Sequence, residues 1–352
     1  MTLPRLAPPP GFTNASALGR AGLVIAAIVL GPLVAHGQPA FLGTWGTEGP
    51  APGQFEHPQG VAVDATGHVF VIDTNPIGRV QIFSGSGDFL SLWSVSTPLA
   101  NAGVDAIAAD GFGQVHLLAT QYAGADRYRY YLRYSTAGTL MEDYLLFGPP
   151  AQCQCSLTAL AVAANATGDG FIPVYGTMGP YNDPVGQVDV FPPGSGFYDS
   201  WGFPGNGPGQ IRGPAGIAVD GAGQVYVADG QNHRIEVFTS AGTFLRQWGS
   251  SGAGDGQFGT PWGIAVGPSG HVYVTDIALN RIQEFTGDGT FVSKWGSPGS
   301  GIGQFSVPYG IAVDASESIY IADTGNHRIQ KFGAPPVPTV RTSWGRIKIA
   351  YH

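Results

Sequence analysis

Residues 201–249 read WGFPGNGPGQIRGPAGIAVDGAGQVYVADGQNHRIEVFTSAGTFLRQWG, and the same pattern returns twice further on. Trp201-Gly202, Trp248-Gly249 and Trp295-Gly296 stand 47 residues apart. Each is followed by Gly-Gln and an apolar residue: Gly209-Gln210-Ile211, Gly256-Gln257-Phe258 and Gly303-Gln304-Phe305. Pro214, Pro261 or Pro308 then leads, after one variable residue, into Gly-Ile-Ala-Val. Val225–Asp229, Val272–Asp276 and Ile319–Asp323 come next, and an Asn (Asn232, Asn280, Asn326) shortly precedes Arg-Ile and an aromatic at Phe238, Phe285 or Phe332. Self-similarity at 20 to 50 residues is the mark of solenoids and propellers.

An earlier copy starts at Trp45-Gly46 and includes Gly53-Gln54-Phe55, Pro58, Gly60–Asp64 and Val69–Asp73. Trp45 and Trp201 are 156 residues apart, room for three units. Two worn copies therefore lie between. One holds Val104–Asp110, Val115–Leu118 and Tyr131–Tyr134; the other holds Leu160–Ala163 and Val188–Phe191. The count is six, with units starting near 45, 94, 148, 201, 248 and 295. Each unit reads as four short strands: an apolar Gly-Ile-Ala-Val run buried near an axis, two alternating strands, and an outer strand such as Phe244–Trp248. Four-stranded sheets repeated radially make a propeller, so the expectation is all-β, with six blades of four antiparallel strands.

Composition agrees with this reading. The chain has 352 residues with 55 Gly and 28 Pro, roughly twice the usual combined share of about 12%. These are the worst residues for a helix interior. They fall instead at turns of fixed phase, Gly67, Gly223 and Gly270 after the first strand and Gly87, Gly242 and Gly289 before the fourth. The formal net charge is -8, and the only lysines are Lys294, Lys331 and Lys348. A nucleic-acid partner is not expected, because phosphate binding needs a basic surface.

At Asn232-His233-Arg234-Ile235 and Asn326-His327-Arg328-Ile329 the chain resembles the NHL-repeat family, in its exported bacterial form. The resemblance covers about 41 to 332 and is specific in four of the six repeats. It implies a six-bladed β-propeller spanning 38–333. Some propellers of this kind are zinc-dependent lyases with axial histidines, which supplies an enzymatic alternative.

The ends carry separate expectations. Residues 1–37 hold only Arg5 and Arg20 as charges and an apolar run from Ala21 to Ala35. That run is short for a membrane span and suits a secretory signal. Ala35-His36-Gly37 places cleavage before Gln38, with an uncleaved anchor as the alternative. No membrane span is then expected in the mature chain, whose location would be secreted, periplasmic or at the cell surface. The last repeat lacks an outer strand after Phe332. Phe41–Trp45 has that strand's pattern and is expected to close the ring from the N-terminus, in competition with Val340–Gly345 of the Pro-rich tail, 334–352.

Most side chains capable of chemistry recur with the repeat. His233 and His327 share one repeat position and His68 and His271 another, on opposite faces. His116 lies in a worn strand, and only His57, before Pro58, sits where a loop meets an inner strand. A metal site needs converging ligands, so no metal is expected, His57 being the weak alternative for one zinc or calcium ion. Asp73, Asp229, Asp276 and Asp323 recur and read as carboxylates accepting backbone N–H bonds in turns. The partner Arg side chains are expected to form ion pairs between blades. Cys153 and Cys155, one residue apart, are a candidate disulfide in an oxidising compartment. Arg127, Arg129 and Arg133 alternate along one strand and read as a solvated face.

The variable residue of each Pro-x-Gly carries the individual signal. Gln59, Ala215, Trp262 and Tyr309 should ring the mouth of the axial channel, either binding a ligand, with the aromatic pair stacking on it, or plugging the channel. The functional expectation is a monomeric, non-catalytic scaffold that binds a protein, peptide or carbohydrate ligand through the blade-entry loops. The alternatives are a metal-dependent lyase or lactonase-like hydrolase and an extracellular sensor or adhesion module.

Overall fold

The computed structural model describes residues 38–73, 78–95, 102–123, 126–147, 156–178, 183–195 and 199–333. Residues 1–37, on which the secretory signal is expected, the Cys153–Cys155 pair and the expected tail, 334–352, lie outside these residues. Strand β1 (Ala40–Trp45) precedes the first complete blade, β2 (Pro58–Val63), β3 (Val69–Asp73), β4 (Arg79–Phe83) and β5 (Phe89–Ser94). The second blade is β6 (Ala102–Ala109), β7 (Gln114–Ala123), β8 (Asp126–Ser135) and β9 (Leu140–Phe147). In the third the inner strand is broken into β10 (Ser156–Ala159) and β11 (Ala163–Ala164), followed by β12 (Gly170–Met178), β13 (Asp183–Phe191) and β14 (Asp199–Trp201). A short parallel pair, β15 (Phe203–Pro204) and β16 (Gln210–Ile211), folds the next entry loop. The fourth and fifth blades are β17 (Pro214–Val219) to β20 (Phe244–Trp248), through β18 (Gln224–Asp229) and β19 (Arg234–Thr239), and β21 (Pro261–Val266) to β24 (Phe291–Trp295), through β22 (Val272–Asp276) and β23 (Arg281–Phe285). The last blade is β25 (Pro308–Val313), β26 (Ile319–Asp323) and β27 (Arg328–Gly333). Among the described residues there is no α-helix, only two single-turn 3₁₀ segments, Gly230–Asn232 and Thr324–Asn326.

The ring closes through the N-terminus. β1 pairs antiparallel with β27, Trp45 opposite Ile329 and Ala40 opposite Gly333, and becomes the outer strand of the sixth blade. Trp45 packs against Phe83 and Tyr320, and Phe41 lies edge-on to Phe332. A strand from the opposite end of the chain pairs the edge that β27 would otherwise leave free.

The core is distributed between blades rather than within them. Six buried clusters occupy the six blade-to-blade interfaces; for example, Tyr226, Val237, Val272 and Phe285 fill the space between the fourth and fifth blades. The repeated Trp fixes the spacing. The ring of Trp45 lies over Gly87 of the next blade and that of Trp248 over Gly289, where an added Cβ would come within 2.7 Å of the indole. Those glycines have φ near +93°, so both backbone conformation and space exclude a side chain.

The two worn blades differ by extension. Their second and third strands run nine or ten residues, against five or six elsewhere. Where the clear repeats turn at Asp73, Asp229, Asp276 or Asp323, the pairing register places Ala119 and Val174 in the worn blades. Without the carboxylate the strand pairing runs on past this register, to Ala123 opposite Asp126 and Met178 opposite Asp183.

The three arginines expected on a solvated face are not alike. Arg127 is exposed, but Arg129 and Arg133 are buried. Arg133 donates to Tyr131 Oη at 2.9 Å, to Glu142 Oε2 at 2.8 Å and to the Phe191 carbonyl at 2.5 Å. Tyr131 Oη also meets His116 Nδ1 at 2.7 Å, and His116 Nε2 lies 3.2 Å from Asp110 Oδ2. This polar chain lines the interface of the second and third blades. Alternation put the arginines on one face of β8, but a propeller sheet buries both faces against its neighbours.

Candidate functional site at the axial mouth

In the four clear blades the entry loop is clasped by one buried aspartate and one arginine of its own blade. Asp323 Oδ1 accepts the Ser306 N–H at 2.7 Å, while its Oδ2 accepts Arg328 Nε at 2.7 Å and Gln330 Nε2 at 2.9 Å. Arg328 then donates to the carbonyls of Ser300, Gly301 and Gln304. Arg79 with Asp73, Arg234 with Asp229 and Arg281 with Asp276 repeat the arrangement. The aspartates do accept loop N–H groups, but the ion pairs lie within blades, not between them. The residue before the arginine, which adopts positive φ (His233 +55°, Asn280 +50°, His327 +54°), adds contact to the next blade's entry loop. His233 Nδ1 reaches the Gly259 carbonyl at 2.8 Å, and Asn280 Oδ1 accepts the Val307 N–H at 2.7 Å, both in the next entry loop. Asn280 thus sits one place later than Asn232 and Asn326 and does the work of a histidine.

Held this way, the loops deliver the Pro-x-Gly segments to the axis. The glycine has a steric reason. A Cβ on Gly216 would lie 2.0 Å from the Trp262 carbonyl oxygen, and one on Gly263 2.3 Å from that of Tyr309. Trp262, Tyr309 and, with a Cβ on Gly310 2.8 Å from its carbonyl oxygen, Gln59 therefore each back directly onto the glycine of the blade before.

All four residues expected at the mouth, Gln59, Ala215, Trp262 and Tyr309, line one 320 Å³ cavity to which all six inner strands contribute. Trp262 and Tyr309 meet edge to face with centroids 5.0 Å apart and planes at 72°. Ala215 is buried, while Gln59, Trp262 and Tyr309 are half-buried. The worn blades supply two lining residues that sequence reasoning missed, Asp105 and Leu160. Asp105 Oδ2 accepts Thr120 Oγ1 at 2.6 Å and lies 3.3 Å from Arg129 Nη2, which pairs its charge. The mouth is thus aromatic on the side of the fifth and sixth blades and polar on the side of the first two.

From this mouth a second cavity of 450 Å³ extends past Leu160, Ala215 and Trp262 toward Tyr175, Arg212 and His233. It shares Tyr175, Arg212 and Gln231 with a 430 Å³ cleft between the third and fourth blades. The opposite end of the channel has its own 330 Å³ hollow, ringed by Asp64, Asp110, Asp220 and Asp314. Those carboxylates are committed to their turns; Asp64 Oδ1, for instance, accepts the Thr66 and His68 N–H groups at 2.9 Å.

His57 is exposed and does not line the mouth; its ring centroid lies 6.0 Å from that of His327. Among the described residues no three His, Cys, Asp or Glu side chains are grouped to hold a metal ion.

Comparison with known proteins bears on the fold. The NHL repeat model matches residues 212–238, 258–285 and 305–332, the fourth to sixth blades. A Bacteroides thetaiotaomicron structural-genomics protein of unknown function aligns at 16% identity over 82% of this chain and 74% of that one, TM-score 0.57. A luciferin-regenerating enzyme aligns at 12% identity over 80% and 93%, TM-score 0.53. Virginiamycin B lyase from Staphylococcus aureus aligns at 14% over 79% and 95%, TM-score 0.50. At these identities the likeness is one of fold. Among curated proteins, no sequence matches the chain.

Proposed function

We propose that this chain, an NHL-repeat six-bladed β-propeller, is a non-catalytic binding scaffold whose axial mouth takes a ring-bearing polar ligand, a carbohydrate first of all. One observation carries this reading. Side chains from different blades converge on an open 320 Å³ cavity, a volume within the range of small-ligand sites. The Trp262–Tyr309 corner offers apolar ring faces, and Gln59 and Asp105 offer hydrogen bonds opposite. Because Arg129 pairs with Asp105, the polar side presents little net charge and suits a neutral ligand. The 450 Å³ extension toward Tyr175 and Arg212 leaves room for a longer molecule. The apolar leader of residues 1–37 supports export. Among the described residues no helix is long and apolar enough to cross a membrane.

The test is a ligand-observed NMR screen of methyl glycosides and short oligosaccharides against the full chain. Trp262→Ala and Ala215→Trp should each weaken the best binder at least about tenfold, the worth of one good contact. Ala222→Trp, on the opposite face, should leave it unchanged. Equal binding by all four proteins would overturn the assignment of the mouth. Elemental analysis of the same preparation addresses the enzymatic alternative: a stoichiometric divalent ion lost on His57→Ala would favour it.

A further inference from the structure

Four blades carry a fully buried polar residue at the same register of the third strand: Gln81, Glu236, Gln283 and Gln330. The three glutamines share two bonds, Gln330 adding a third to Asp323. Their side-chain oxygens accept the N–H of Gly53, Gly256 and Gly303 at 2.8, 3.0 and 3.0 Å. Their amide nitrogens donate to the carbonyls of Gln54, Gln257 and Gln304, each at 2.7 Å. The two bonds staple the entry loop to the blade.

Glu236 makes only half of this staple. Its Oε1 accepts the Gly209 N–H at 3.0 Å. Its Oε2 is buried without a hydrogen-bond partner, in the register where the glutamines place their amide nitrogen toward the carbonyl that here belongs to Gln210. A carboxylate has nothing to donate to a carbonyl, whereas a carboxylic acid has one O–H. The surroundings oppose ionisation on balance. Burial pushes Glu236 up to about 7, against the pull of Arg234 and with a push from Asp229.

The charged groups around it are few. Arg234 Nη2 lies 3.1 Å from Oε1 but also serves the Gly207 and Gln210 carbonyls, while its Nε bonds Asp229 at the end of β18. The residues paired with Glu236 on the flanking strands are Val227 and Gln247, both uncharged. On the loop itself, Arg212 is exposed and gives its backbone N–H to Asp229.

We propose that Glu236 holds the fourth entry loop as a neutral carboxylic acid, its Oε2–H donating to the Gln210 carbonyl as the glutamine amides do elsewhere, and that loss of this proton loosens the loop. Residues 204–206 and 211–213 of that loop form one wall of the cleft between the third and fourth blades, so the proton also sets the shape of the cavity beside the mouth. That consequence for binding rests on the proposed function; the response of the loop does not.

Hydrogen exchange of the full chain at pH 5.5 and 8.5, corrected for intrinsic rates, tests it without any ligand. Protection of the Gly209 and Ile211 amides should fall at least about tenfold at the higher pH, the worth of one hydrogen bond. The matching Gly256 and Gly303 amides, stapled by glutamine, should not change. Glu236→Gln should remove the dependence, and Gln283→Glu should install it at Gly256. Amides 209 and 211 that track 256 and 303 at both pH values in the wild-type protein would overturn the proposal, as would a dependence that survives Glu236→Gln. A mouth that binds no glycoside leaves this result standing, so the two readings fail separately.

Discussion

Replacing Asp323 with alanine should cost the propeller several kcal/mol, although the residue touches nothing at the mouth. Asp323 is fully buried and accepts from Ser306 N, Asn326 Nδ2, Arg328 Nε and Gln330 Nε2. Alanine leaves those donors without their acceptor and leaves Arg328, whose side chain is 14% exposed, as an uncompensated charge. Removing one partner of a buried ion pair costs about 3–5 kcal/mol. Taking about 4 kcal/mol, and about 2.1 cal/mol/K of unfolding entropy per residue over a body near 300 residues, the midpoint should fall by roughly 6 °C. Thermal unfolding by circular dichroism reads the size, and hydrogen exchange over residues 299–306 reads the place. Asp323→Asn, which keeps one oxygen acceptor, should cost less. Asp323→Ala with Arg328→Met should recover part of the loss, because the buried charge goes with its partner. An Asp323→Ala protein within about 1 kcal/mol of wild type, a small effect on the usual scale, would refute the view that the pair clasps the loop.

Three further outcomes follow from the same geometry. Glu317 occupies a turn position, φ +61°, where the other blades have Gly67, Gly113, Gly168, Gly223 and Gly270; its carboxylate accepts the Ser269 N–H and lies 2.5 Å from where a Gly267 Cβ would stand. Gly267 fills the place of Asp64, Asp110, Asp220 and Asp314, so Gly267→Asp with Glu317→Gly should be more stable than either single variant in thermal unfolding. Arg133→Met should destabilise by about 3 kcal/mol by stranding Glu142 and Tyr131, with much of the loss restored by adding Glu142→Gln; denaturant titration measures both. Deleting residues 38–45 removes β1 and bares the edge of β27, so light scattering should show association, reversed by the 38–45 peptide added in trans.

The ring was legible because its parts are spaced by covalent period. Trp201, Trp248 and Trp295, the Gly-Gln turns and the Pro-x-Gly entries recur at one phase, and a blade buries both faces only between neighbouring blades. The mouth residues were legible for the same reason, as the one varying position in a repeated approach to the axis. Asp105 and Leu160 were not, because the worn blades have lost the Pro and Gly that mark this position. Arg129 and Arg133 were misread because strand alternation tells which residues share a face, not whether that face meets solvent or another blade. The within-blade Asp–Arg clasp needed the loop's return path, which no local spacing reveals.

If Trp262 stands at the point of ligand entry, fluorine NMR with 5-fluorotryptophan at all seven tryptophans will show it. Trp262→Phe assigns its resonance. On titration with the ring-bearing glycosides and fragments that bind, that resonance should move first and furthest, while those of Trp45, Trp248 and Trp295, packed between the blades, stay in place. Binding that shifts the interblade signals and leaves the Trp262 resonance still would place the ligand elsewhere than at the axial mouth.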